Sequence, residues 1–153
     1  MASYDIETLH QHILQILLSV DRVCQAHDIT LASPDFSFSG SWKRTAVIVI
    51  YVVLVAPVTE ELLCRGLIFC GLYRRSRIWA YALSMLVFSL LHVYGSMLDQ
   101  PFGVSLVNLV VYLPAGFALA WSYERSGSIF SAMILHTVIN SFALLLQALV
   151  TQL

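Results

Sequence analysis

From Ala46 onward the chain consists of apolar stretches too long for a soluble helix, separated by short polar breaks. A membrane-spanning helix needs about 20 mostly apolar residues, and four segments meet that length. They run from about Ala46 to Leu72, Ile78 to Tyr94, Gly103 to Tyr123 and Ser128 to Leu149. The breaks Tyr73–Arg77, Gly95–Phe102 and Glu124–Gly127 are short, so sequential helices are expected to lie antiparallel. The first 41 residues read differently. Ile6, Leu9, Ile13, Ile16, Leu17, Val20 and Val23 recur at helical spacing, which predicts an amphipathic helix from about Asp5 to Ala26 packed on the membrane body. A turn-rich linker, His27–Ser41, follows it. The expected fold is therefore all-α: a polar segment over 1–41, then a multi-pass helical domain over 42–153.

Composition strengthens this reading. Of the 153 residues, 59% are hydrophobic and only 11% are charged, and the mean hydropathy is +0.81. Soluble domains carry roughly 25% charged residues. A net charge of −1 with eight Lys and Arg in total leaves no basic patch for phosphates, so nucleic acid is excluded as a partner. Eight of the seventeen charges precede Thr45, and none follows Arg125. Trp42, Trp79, Trp121 and Tyr123 lie near predicted helix ends, where an aromatic belt would place them. Arg74, Arg75, Arg77 and Arg125 fall on one side against Lys43 and Arg44 on the other, which puts the Tyr73–Arg77 turn in the cytoplasm. Cys24, Cys64 and Cys70 have no disulfide or zinc-knuckle spacing.

The informative residues are the polar ones inside apolar helices: Glu60, Glu61, Arg65, His92, His136 and Asn140. An ionisable group at bilayer depth costs about 2.5–3.5 kcal/mol on insertion scales and usually faces protein or a water cavity. Glu61 and Arg65 are four apart, so they share a face and can pair. Glu60 lies about 100° around the helix and is free to point into the bundle. Pro57 removes a backbone donor just before them and leaves freed carbonyls near the carboxylates. Phe88 and His92 share the same four-residue spacing, as do His136 and Asn140. Three helices thus bring a carboxylate, two imidazoles and an amide close to the bilayer midplane. Any one of these residues alone reads as packing or interhelical glue; their convergence reads as a site.

These residues resemble the CPBP family, the CAAX-protease and bacteriocin-processing (Abi) group of intramembrane proteases. Its Glu-Glu-x-x-x-Arg element is matched by Glu60, Glu61 and Arg65, with Gly66 following; its Phe-x-x-x-His element by Phe88 and His92; and its His-x-x-x-Asn element by His136 and Asn140. The resemblance covers about Val47 to Leu146. Members usually carry further transmembrane helices ahead of the Glu-Glu helix, where this chain has the polar segment Met1–Ser41, and often a Phe where it has Cys64.

The resemblance implies hydrolysis of a peptide bond in a membrane-associated polypeptide, of CAAX type (prenylated) or bacteriocin type. Glu60 would activate water as general base, His92 would hold that water, and His136 with Asn140 would stabilise the oxyanion. Glu61 and Arg65 would fix the helix. Glu60, His92 and His136 form a set that could ligate Zn²⁺ with one position left for water; a metal-independent glutamate mechanism is the other option for the family. The expected location is the plasma membrane of a prokaryote, with the lipid bilayer as a constant partner. Two rival readings are a non-catalytic scaffold or bacteriocin self-immunity protein that retains the fold, and a proton-conducting transporter. The intact motif set disfavours the first, and the lack of internal repeats disfavours the second.

Overall fold

Apolar side chains point outward along much of this molecule, and polar ones are buried. The computed structural model describes residues 42–95, 97 and 99–150; the amphipathic helix expected over 5–26 and the linker His27–Ser41 lie outside them. Four helices make up the described residues. We label them α1 (42–73), α2 (Arg77–Val93), α3 (Phe102–Ser126) and α4 (Ile129–Val150). Each packs on the next, and α4 returns against α1. On α4 the stripe Phe130, Ile134, Val138, Phe142, Leu145 and Leu149 is more than half exposed. Ala132, His136 and Leu144, on the opposite face, are buried. Apolar outside and polar inside is stable when the surroundings are hydrocarbon.

Among the described residues three helices are long and apolar enough to cross a membrane: the first over Thr45–Tyr73, then Phe102–Ser126 and Ile129–Leu149. The second, Arg77–Val93, lies where a span over 78–94 is expected. It is apolar but has only 17 residues, or about 25 Å at roughly 1.5 Å per residue. Its start is fixed by Ser76, an extended N-cap residue whose hydroxyl accepts from Trp79 N–H. Leu72 O accepts from both Arg75 and Ser76 N–H, making the preceding turn tight. At the other tight turn Gly127 adopts φ +67°, the left-handed conformation that ends α3.

α1 is not a uniform α-helix. It contains two π-helical stretches, Tyr51–Val55 and Leu62–Phe69, on either side of the α-helical turn Ala56–Glu61 that carries both glutamates. Ala56 N–H donates to Tyr51 O and Cys70 N–H to Arg65 O, each five residues back. Such stretches widen the helix and free carbonyls for other donors. Cys64, Phe88 and Leu119 form one buried cluster across α1, α2 and α3, and Phe69, Ala80 and Ala120 form another nearer the arginine-bearing turn. α2 and α3 meet closely at Gly116, where a Cβ would lie 3.3 Å from Met85 Cα and from Phe88 Cδ1.

Candidate active site

α1, α2 and α4 each deliver one side chain to a common point. Glu60 Oε2 stands 3.8 Å from His92 Nε2 and 3.8 Å from His136 Nε2. One ligand atom from each of the three residues lies within 4.8 Å of the others. Glu60 and His92 are about one-fifth exposed, whereas His136 is buried. Convergence of these three is what the helical spacings predict.

The far nitrogens of the two rings decide what the near ones can do. His92 Nδ1 lies 2.9 Å from Phe88 O, one helical turn back. A carbonyl can only accept, so Nδ1 carries the proton and donates. His136 Nδ1 lies 2.9 Å from Glu61 Oε1, and it donates to that carboxylate. In the neutral rings both Nε2 atoms therefore present lone pairs, and they face a carboxylate oxygen. Glu60 Oε2 is buried and has no hydrogen-bond partner. Three acceptors aimed at one another form a seat for a proton donor or a cation. A buried carboxylate behind one imidazole and a carbonyl behind the other are the usual outer supports of metal-binding histidines, so the donor set fits Zn²⁺.

Glu61 and Arg65 hold this arrangement from behind. Both are fully buried, and Arg65 Nη1 donates to Glu61 Oε1 at 3.0 Å. Arg65 Nη2 donates to Gly116 O at 2.8 Å, which ties α1 to α3. The guanidinium also lies 5.0 Å from the centre of the Phe88 ring. Phe88 packs against His92 with centroids 4.5 Å apart and planes tilted by 42°, and meets His136 edge-on at 5.4 Å. Two of the three paired spacings read from the sequence, Glu61 with Arg65 and Phe88 with His92, are thus direct contacts. Asn140 is placed differently from an oxyanion donor: its Nδ2 donates to Val52 O at 2.9 Å.

Several contributors carry no motif. Tyr112 on α3 packs against the His92 ring with centroids 4.5 Å apart and planes tilted by 34°. Ser84 donates to Cys64 O in the second π stretch. Thr137 donates to Val53 O at 2.9 Å. The signal for Thr137 was Pro57, whose missing N–H leaves Val53 O in need of a donor. Nothing in the sequence singles out Tyr112, because its role depends on how α3 is rotated against α2.

Comparison with known proteins fits this geometry. Residues 42–142, well over half of the chain, match the type II CAAX prenyl endopeptidase Rce1-like family. The chain is also 26% identical over 106 residues to a protein of Bacillus subtilis (strain 168) described as "Putative membrane peptidase YdiL". That alignment takes in 69% of this chain and 39% of the relative, so the chain spans well under half of that protein's length. No solved structure matches. The matched region holds all three motif elements and all three groups that meet at Glu60, and the chain belongs to the type II CAAX prenyl endopeptidase Rce1-like family.

Proposed function

We propose that this protein is an intramembrane endopeptidase that hydrolyses a peptide bond of a membrane-associated polypeptide with water activated by Glu60. The observation that carries the reading is the meeting of three acceptor atoms, Glu60 Oε2 and the Nε2 atoms of His92 and His136, inside an apolar bundle. Such a cluster is costly in a membrane and marks chemistry or transport, and membership of a CAAX endopeptidase family favours chemistry.

In this scheme His92 Nε2 and Glu60 Oε2 hold the attacking water. Glu60 takes its proton as the water oxygen bonds to the scissile carbonyl carbon. In its imidazolium form, with the added proton at Nε2 and Nδ1 balanced by Glu61, His136 would donate to the oxyanion that develops. Glu60 then returns its proton to the amine as the C–N bond breaks. The same donor set, Glu60, His92 and His136, would hold Zn²⁺, and that ion would supply carbonyl polarisation and a more acidic bound water. The substrate class to test first is a prenylated CAAX-type C-terminal peptide, and the second is a bacteriocin-type peptide. The working location is the plasma membrane of a prokaryote.

The test is cleavage of a membrane-tethered peptide library, prenylated and unprenylated, by the purified full chain in liposomes, with Glu60→Gln and His92→Ala as controls. We expect cleavage by the wild type that both substitutions abolish. Equal cleavage by wild type and Glu60→Gln would end the protease reading.

A further inference from the structure

The first π stretch and Pro57 leave two adjacent carbonyls of α1 without their ordinary helical donors. In a regular α-helix Val53 O accepts from the N–H of residue 57, which Pro57 does not have. Val52 O would accept from Ala56 N–H, which is spent on Tyr51 O instead. In hydrocarbon such carbonyls must find other partners. Both are met by α4: Thr137 Oγ1 donates to Val53 O and Asn140 Nδ2 to Val52 O, each at 2.9 Å. Thr137 adjoins His136 in sequence, and Val53 lies two helical turns before Glu60. The two bonds therefore fix how α1 sits against α4 at the level where Glu60 Oε2 faces His136 Nε2 across 3.8 Å.

We infer that Thr137, together with Asn140, is a positioning element: it clamps the notch that Pro57 and the π turn open in α1, and so sets the register of Glu60 against His136. The inference rests on the protease reading for its kinetic consequence, but not for the clamp itself. Asn140 has its place in the family motif on this view because it completes the clamp. Thr137 acts through α1 and touches none of the reacting groups.

Val53–Leu54 is the one Val-Leu dipeptide in the chain. Protein labelled with ¹³C′-valine and ¹⁵N-leucine therefore gives a single correlation that reports the Val53 carbonyl. Thr137→Val, nearly isosteric but without the hydroxyl, should move the Val53 ¹³C′ resonance upfield. It should also lower kcat on the best-cleaved library peptide by roughly tenfold with KM little changed, as expected for a catalytic group held slightly out of place. Thr137→Ser keeps the hydroxyl and should restore both. Pro57→Ala returns an N–H to the helix, so the double variant Pro57→Ala/Thr137→Val should recover the resonance and much of kcat. An unmoved Val53 resonance in Thr137→Val overturns the clamp. So does a kinetic loss that falls on KM alone or that Pro57→Ala leaves untouched. If the wild type shows no Glu60-dependent cleavage, the protease reading fails, and the Val53 resonance alone decides the clamp.

Discussion

Glu60 and Glu61 are one peptide bond apart and have different surroundings. Glu61 is fully buried, and its Oε1 is engaged by both Arg65 and His136. Glu60 is partly exposed and faces two imidazoles with no hydrogen bond to its Oε2. Substitution should separate them. Glu60→Gln keeps the shape and removes the base, so kcat should fall by about 10²–10⁴-fold while the thermal unfolding midpoint in detergent stays near wild type. Arg65→Met leaves Glu61 buried without its countercharge, and loss of one partner of such a pair costs about 3–5 kcal/mol. That variant should unfold at a clearly lower temperature whatever its activity. Zinc binding offers a third check. Isothermal titration of the wild type with Zn²⁺ should give one site, and Glu61→Gln, which weakens the support behind His136, should reduce its affinity by about 10–100-fold.

At the scale of the elements, the sequence conveys what helical periodicity fixes and loses what one helix does to another. Glu61 with Arg65 and His92 beneath Phe88 are legible because residues four apart share a helix face. The meeting of Glu60, His92 and His136 is legible because isolated polar residues in three apolar helices have few other places to go. The π stretches of α1 are not, since their carbonyls are met by donors on α2 and α4 twenty or more residues away. The acceptor for Arg65 Nη2 is equally hidden: it is the backbone carbonyl of Gly116, which no side-chain pattern marks. Glycine at that position has a further reason. A methyl group there would press on the backbone at Met85 and on the Phe88 ring at 3.3 Å. Gly116→Ala should therefore push α2 from α3 at a cost of about 1–3 kcal/mol and disturb His92 through Phe88. Gly71→Ala, with nothing within 4 Å of the added carbon, should be neutral or stabilise α1 by up to about 1 kcal/mol. Denaturant or thermal unfolding of the pair gives the comparison.

For the molecule as a whole, the shortness of α2 matters more than its hydrophobicity. At about 25 Å it falls short of a hydrocarbon core about 30 Å thick, yet it carries His92 near its end. A bilayer must thin around it or the helix must shift, at a fraction of a kcal/mol per Å of mismatch. Cleavage in liposomes should therefore slow severalfold on passing from short-chain to long-chain phosphatidylcholine, measured at equal protein incorporation.

One end of the bundle is knotted. The Glu124 carboxylate of α3 accepts from Tyr73 of α1 and from Arg77 and Tyr81 of α2, at distances of 2.6–2.8 Å. Three helices are thereby pinned at the arginine-bearing turn, as the arms of a pair of tongs are pinned at the rivet. Any widening that admits a polypeptide must then grow with distance from that pin. α2 ends beside the partly exposed His92, so on the proposed function an extended substrate would approach Glu60 from the side opposite the arginines.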